Sequence, residues 1–311
     1  MQDRLDNGLV VRVTGGEVWV QIELEVVRCV LRGRFRVKQS ELQIVAGDRV
    51  QVRRGTGAEA GDAPALEVVE PRTSWLSRHT ERGRGERMIV SNIERLFVVA
   101  AIAEPPLRPT FVDRVLASAE QGHIPASLII NKSDLDPGGE AARIATIYQN
   151  AGYDVVTTCA ETGRGIPKLE SKLGNGIYAF VGESGVGKSS IVNRLDPDLD
   201  LPTQEIGERT GRGRHTTTNS QLFPFRTGYL ADTPGMQTFG FPSDDEAEIA
   251  AYFPEIARID TRCRFEPCTH SHEPGCLVKA AVESGAMAAS RYESYLSILA
   301  EVRERAKNKS W

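Results

Sequence analysis

The strand-like run IYAFV (177–181) passes directly into GESGVGKSS (182–190), and no other stretch restricts the fold so strongly. Gly182, Gly187, Lys188 and Ser189 fit the spacing G-x-x-x-x-G-K-[ST]. Between an apolar strand and the helix-like SSIVNRL, that spacing makes a phosphate cradle. Its glycines permit tight backbone geometry, so successive N–H groups across Gly182, Glu183, Ser184, Gly185, Val186 and Gly187 can point at phosphate oxygens. The following helix turns its positive end, with Ser190 in its first turn, toward the same anion. Lys188 would reach the terminal phosphates, and the Ser189 hydroxyl would ligate Mg²⁺. The cradle alone separates neither ATP from GTP nor a kinase from a switch.

A cradle of this kind needs a parallel sheet, and the sequence around it alternates accordingly. LFVVAAIA (96–103), ASLII (126–130) and YDVVTT (153–158) read as strands, and TFVDRVLASAEQG (110–122) and GGEAARIATIYQNAG (138–152) as helices. Strands interleaved with helices predict a mostly parallel sheet covered on both faces. After about residue 240 the strand signal stops, and 244–259 and 277–311 read as helical. Tyr292, Tyr295, Leu296, Leu299 and Val302 share helical spacing that suits a packed face. The basic end beyond them (Arg303, Arg305, Lys307, Lys309) is a candidate RNA contact.

NKSD (131–134) follows the ASLII strand, at the end of a parallel strand where nucleotides bind. Guanine offers N1–H and a 2-amino group side by side, and the Asp134 carboxylate can accept from both. On adenine it would meet an acceptor and a C–H, so Asp134 selects for guanine. Asn131 would support the base edge, Lys132 would pack over the cradle, and Ser133 lies between them and Asp134. By itself the tetrapeptide also reads as a polar helix start; beside a cradle the base reader is the better account. In LADTPG (230–235), Asp232 would hold Mg²⁺ through a water and the Gly235 N–H would meet the γ-phosphate. Cys159 and Ala160 open a short loop, CAETGRG, that would back the guanine. Thr216 or Thr217, in GRGRHTTT (211–218), could complete the metal shell when a γ-phosphate is present.

The N-terminal part reads differently. Val18, Val20 and Ile22 alternate with polar neighbours, a Gly15-Gly16 pair marks a hairpin, and RVQVRR (49–54) adds another short strand. Several short strands in about seventy residues suggest a small OB-like barrel. The net charge is −4, yet Arg28 to Arg54 hold eight Arg or Lys against two acids. Arg32, Arg34 and Arg36 would share one strand face and are the RNA-binding candidates. Residues 72–88 read as a basic, poorly patterned connector. With 40% hydrophobic and 26% charged residues the composition is that of a soluble globular protein. The start of the chain carries no secretory signal, and the longest apolar run is too short to span a bilayer. A cytoplasmic protein with no membrane partner is the expectation.

Three of the five cysteines fall within 263–276, in the pattern Cys263-x4-Cys268-x-His270-x5-Cys276. Three thiolates and an imidazole suit tetrahedral zinc, and four protein ligands leave no open catalytic position. His272 rivals His270 for the fourth place. Cys29 and Cys159 read as buried strand residues.

Taken together, NKSD, CAE, GESGVGKS, GRHTT and DTPG resemble the GTPase motifs in circularly permuted order. That order is similar to the small-ribosomal-subunit biogenesis GTPase family (RsgA/YjeQ). The resemblance covers nearly the whole chain and implies an α/β fold. Residues 1–72 would form an OB-like RNA-binding barrel, 73–88 a linker, 89–240 the permuted P-loop GTPase domain, and 241–311 a helical zinc-bearing domain. It favours His270 as the fourth zinc ligand. It also implies a monomer that binds the small ribosomal subunit and its rRNA, hydrolysing GTP slowly to GDP and phosphate during late subunit maturation. The alternative is an RNA-binding scaffold that senses guanine nucleotide with little turnover. Where many GTPases carry a water-orienting glutamine after D-x-x-G, this sequence has Met236. His215 is the nearest substitute, giving His215, Lys188 and Thr217 as the catalytic set. The permuted order sends the chain from DTPG straight into the cysteine-bearing tail, a short route for nucleotide state to reach it.

Overall fold

The computed structural model describes residues 5–14, 17–31, 43–54, 63–79, 86–199, 220–232, 241, 243, 245–259, 263–265 and 267–309. The alternation in the N-terminal part does build strands: β1 (Leu5–Thr14), β2 (Glu17–Ile22), β3 (Glu25–Leu31), β4 (Arg49–Arg53) and β5 (Ala65–Val69). They pair in the order β1-β2-β3-β5-β4, and β4 returns to β1 with Leu5 opposite Arg53, which closes a five-stranded barrel. Closure removes the free sheet edge that a short sheet would otherwise expose. Inside it Val10, Val18, Val20, Val50, Val52 and Leu66 are essentially inaccessible. β1 and β2 pair antiparallel with Thr14 facing Glu17; Gly15 and Gly16 lie outside the described residues. Arg32, Arg34 and Arg36 lie outside the described residues.

The segment read as a connector contains a hairpin, β6 (Trp75–His79) with β7 (Glu86–Ser91). Its arginines and glycines obscure the pattern; Leu76 and Val90 are buried in the main core, with Ile89 packed against it. Asp48, which closes the turn before β4 with its N–H on the Val45 carbonyl (3.3 Å), is fully buried and ties this region together. Its carboxylate accepts from Arg72 (2.7 and 2.9 Å), the Val45 N–H (3.0 Å) and the Ser91 hydroxyl (2.6 Å).

The remaining strands and helices follow in the predicted alternation. They are β8 (Ile93–Ala101), α1 (Pro109–Gln121), β9 (Ala126–Asn131), α2 (Glu140–Ala151), β10 (Asp154–Thr157), α3 (Ile166–Glu170), β11 (Ile177–Val181), α4 (Lys188–Leu195), β12 (Gln221–Phe225) and β13 (Gly228–Asp232). The order is β10-β9-β8-β11-β13-β12, parallel except for the antiparallel β12–β13 pair. Residues of β8 separate by parity. Leu96, Val98 and Ala100 pack with α1, while Phe97, Val99 and Ala101 pack with α3 and α4. A strand covered on both faces has no polar side, which is why its sequence is a continuous apolar run. One bridge, Arg12 to Gln221, makes the barrel continuous with the sheet.

The tail carries α5 (Pro254–Arg258), α6 (Leu277–Glu283) and α7 (Ala289–Lys309), with no strand among the described residues. Tyr295, Leu299 and Val302 form the packed face that their spacing implied, against Phe253, Ile256 and Ala117 of α1. The basic end is partly spoken for: Arg303 bonds Glu246 (2.5 Å), and Arg305 donates to the Phe241 and Ser243 carbonyls. Among the described residues no helix is long and apolar enough to cross a membrane.

Arg291 is the principal bolt between tail and sheet. It is 1% exposed, pairs with Asp113 of α1 (2.6 Å) and Glu255 of α5 (2.7 Å), and lies over the Phe253 ring at 4.8 Å. Burial pushes the Asp113 carboxyl up, and the Arg291 guanidinium pulls it back. Removing one partner of such a cluster strands buried charge, at a cost of about 3–5 kcal/mol. Arg291→Leu is therefore expected to lower the unfolding free energy of the tail by that amount, read from its urea transition followed by tyrosine fluorescence. Breaking the exposed Arg143–Glu140 pair should change nothing measurable.

Candidate functional site

Parallel strands β9, β11 and β13 end at one edge of the sheet, and the three loops read as nucleotide-binding start there. At the end of β9, Asn131 is 1% exposed and joins three segments. Its Nδ2 donates to the Val186 carbonyl in the cradle (3.0 Å). Its Oδ1 accepts from the Thr158 hydroxyl (3.0 Å) and the Ala160 N–H (3.2 Å). Lys132 follows in the left-handed region (φ 58°), and Ser133–Leu135 form a single 3-10 turn that carries Asp134. The Ser133 N–H donates to the Thr158 carbonyl (3.1 Å), a second link between base reader and backing loop.

The cradle runs from Gly182 into α4. A Cβ on Gly182 would lie 2.2 Å from the Val99 carbonyl oxygen, so only glycine lets the loop lie this close to β8. Gly187 has φ +95°, and a Cβ there would sit 2.3 Å from Asn131 Nδ2. Gly187→Ala is accordingly expected to displace Asn131 and weaken GDP binding at least about a hundredfold, measured by calorimetric titration. Lys188 Nζ donates to the Gly182 (2.9 Å) and Glu183 (2.7 Å) carbonyls, which curls the loop around the ammonium. Arg108 pairs with Glu183 at 3.2 Å.

A cavity of about 690 Å³ opens beside this network. Asn131, Lys132, Asp134, Cys159, Ala160 and Ser190 are all on its wall, with Gly187. Residues far apart in sequence thus meet as the motifs implied, although Cys159 itself is 2% exposed and contributes mainly backbone. Glu183, Ser184, Gly185, Val186 and Ser189 belong to the adjoining cradle and first helical turn. Ser189 is 4% exposed. Asp232 ends β13, which pairs in parallel with β11. Gly235, His215, Thr216 and Thr217 lie outside the described residues. Sequence reasoning missed Glu104, Asn193 and Arg194, which also line the cavity. Ser190, Asn193 and Arg194 stand at i, i+3 and i+4, one helix face, and that spacing was the available signal.

Asp232 supplies a test for a divalent cation. Burial pushes its carboxyl up, and Oδ1 is buried with no hydrogen-bond partner among the described residues. A buried carboxylate oxygen left unpartnered beside a phosphate cradle suits a cation ligand, directly or through water.

In the tail, the ligand atoms of Cys263, Cys268, His270 and Cys276 lie within 4.8 Å of one another. His270 Nδ1 is 3.4 Å from Cys276 Sγ and 3.8 Å from Cys263 Sγ. Tetrahedral ligands about 2.3 Å from a metal stand roughly 3.8 Å apart, so this cluster has the dimensions of a closed metal site. The rival His272 is turned out, 78% exposed at its side chain, with Nδ1 on the Ser271 hydroxyl. Tyr292 and Tyr295 of α7 donate to the His270 and Thr269 carbonyls (2.7 and 2.6 Å), anchoring the knuckle.

Strand order, cradle and base reader together define a P-loop GTPase whose base-reading loop precedes its phosphate loop: a circularly permuted one. The sequence model of the RsgA GTPase family matches residues 69–242, and the chain belongs to that family; its chemistry is GTP hydrolysis. It is 39% identical over 303 residues to a Moorella thermoacetica protein named small ribosomal subunit biogenesis GTPase RsgA, covering 96% of this chain and 99% of that one. A Gemmatimonas aurantiaca protein of the same name is 38% identical over 305 residues, covering 96% and 98%. Among solved structures, YjeQ from Thermotoga maritima superposes with TM-score 0.76 at 32% identity, over 96% of this chain and 99% of that one. YloQ, described as a circularly permuted GTPase, gives 0.73 at 28%, over 97% and 96%.

Proposed function

We propose that this GTPase binds the small ribosomal subunit and assists its late maturation, hydrolysing GTP slowly until the subunit stimulates it. The observation that carries the nucleotide part is Asn131, one side chain bonded to both the phosphate cradle and the loop backing the base. The subunit part is supported by relatives of that name matching 96% of the chain. Guanine would sit in the cavity with Asp134 accepting from N1–H and the 2-amino group, and Lys132 packing over it. The N–H groups of 182–187 and the Lys188 ammonium would hold the phosphates. Ser189, Asp232 and Thr216 or Thr217 would hold Mg²⁺, which when bound neutralises charge on the β- and γ-phosphates. Gly235 would meet the γ-phosphate, and a neutral His215 imidazole would accept a hydrogen bond from the attacking water. The Cys263, Cys268, His270 and Cys276 cluster would take one structural zinc.

The proposed division of labour keeps 1–72 as the RNA-contacting barrel, with Arg32, Arg34 and Arg36 on phosphates, and 73–88 as the linker. Residues 89–240 would form the GTPase domain and 241–311 the zinc-bearing one, in a cytoplasmic monomer. The test is phosphate release from GTP with purified small and large ribosomal subunits in parallel. Stimulation by the small subunit alone is expected; equal rates with both, or with neither, would leave the scaffold reading. His215→Ala should abolish the stimulation and spare GTP binding.

A further inference from the structure

Arg194 lies beside the base end of the cavity, outside every motif of the GTPase set. It belongs to α4, the helix that begins at the phosphate cradle, yet its side chain reaches the other wall of the pocket. Nε donates to the Ala160 carbonyl at 2.9 Å, and an Nη donates to the Glu161 carbonyl. Ala160 is thereby gripped at both of its backbone groups. Asn131 Oδ1 takes its N–H at 3.2 Å, and Arg194 takes its C=O. In a planar trans peptide the N–H lies opposite the C=O, so fixing the Ala160 carbonyl also fixes the direction of the Glu161 N–H. Two neighbouring carbonyls met by one rigid, planar guanidinium give an orientation that a single contact would not.

The chemistry of the base makes this wall matter. Asp134 can only accept hydrogen bonds, so it reads the N1–H and 2-amino side of guanine. The neighbouring O6 is an acceptor and needs a donor. The 159–161 segment lines the cavity with Asp134. Its Cys159 and Ala160 N–H groups go to the Arg164 carbonyl (3.0 Å) and to Asn131 Oδ1 (3.2 Å), which leaves the Glu161 N–H, the group whose direction Arg194 fixes, as the donor. We propose that Arg194 is a positioning residue for guanine recognition: it clamps the 159–161 wall to the phosphate-loop helix so that the Glu161 N–H meets O6. This rests on the reading of the cavity as the guanine site. It makes the phosphate end and the base end of the pocket one mechanical unit, joined through α4.

The test uses the full-length protein, with GDP and 6-thioguanosine diphosphate, whose sulfur in place of O6 is a weak acceptor while N1–H and the 2-amino group remain. Arg194→Met removes both donors and retains a long unbranched stem; Arg194→Lys keeps a charge that can satisfy at most one geometry. Arg194→Met is expected to weaken GDP about tenfold, the size of a modest hydrogen-bond loss. The GDP to 6-thioguanosine diphosphate affinity ratio should fall at least about fivefold, as in a double-mutant cycle with the O6 acceptor as the second change. Turnover at saturating GTP should stay within about twofold, because a contact shared by ground and transition states changes KM and not kcat. Arg194→Lys should fall between wild type and Arg194→Met. Unchanged affinity overturns the inference. So does equal weakening of the two nucleotides, which would mean general loosening and no reading of O6. A wild-type protein that fails to prefer GDP over ADP would instead overturn the guanine reading beneath it.

Discussion

Asp134→Asn should exchange the nucleotide. The variant is expected to bind GDP about a thousandfold more weakly and to gain xanthosine diphosphate as its preferred ligand, followed by calorimetric titration of both. Asp134 stands on the cavity wall with Asn131 and Ala160. Its carboxylate is matched to two adjacent donors, and charge-assisted hydrogen bonds of that kind are about twice as strong as neutral ones. An asparagine amide offers one acceptor and one donor. Against guanine its NH₂ would face the 2-amino group, donor against donor; against xanthine, which carries O2 at that place, the pattern fits. A thousandfold change is about 4 kcal/mol, within the range for a pocket whose buried polar groups are left unmatched. Unaltered preference would mean that the base lies elsewhere. Because Asn131, Lys188 and the cradle are untouched, the phosphate end serves as the internal control.

Metal removal should produce the second large effect, at the opposite end of the chain. Chelation, or Cys276→Ser, is expected to abolish hydrogen-exchange protection through 263–283 and to reduce bound zinc from one per chain to a trace. Cys276 is 4% exposed and is the N-cap of α6, so the metal bond and the start of that helix depend on the same residue. Besides the metal ligands, the segment is held by Val278 in the tail core and by the Tyr292 and Tyr295 hydroxyls. Its own hydrogen bonds converge on Glu273, which accepts from the Thr269, Ser271 and His272 N–H groups at 2.8, 3.0 and 3.1 Å. Isolated structural zinc sites supply about 10–16 kcal/mol of folding free energy. Here about 5 kcal/mol is expected to be felt locally, because α7 is also held by Arg291 and by the Phe253–Tyr295 core. GDP affinity should be unchanged. Persistent protection in the metal-free protein would show that packing alone suffices and that the cysteines are not a folding element.

The motifs were readable because each is a local arrangement. G-x-x-x-x-G-K-S after IYAFV is a strand, a turn and a helix start, and all three follow from residues adjacent in sequence. The alternation of the barrel strands was readable for the same reason, since side-chain direction along a strand has period two; β8, apolar on both faces, was readable as a buried strand but not by face. The hairpin within 75–91 was not, because the two residues that commit it to the core, Leu76 and Val90, are diluted by arginine and glycine. The turn at Gly47-Asp48 does form, the Asp48 N–H meeting the Val45 carbonyl (3.3 Å), but the carboxylate's partners Arg72 and Ser91 are 24 and 43 positions away.

By itself, the sequence pointed to the chemistries: a phosphate loop, a candidate guanine reader, a buried-strand pattern, and three thiols with an imidazole spaced as metal-ligand candidates. Tertiary structure alone decided which of them meet. It brought Asn131 onto Val186 across 55 residues, chose His270 over a histidine two places away, and set Arg194 on the far wall of the pocket. The reason is geometric. A hydrogen bond or metal bond depends on separations of a few ångströms, and those follow from how parallel strands deliver their ends to one edge, a property of pairing and packing between segments that no local stretch contains.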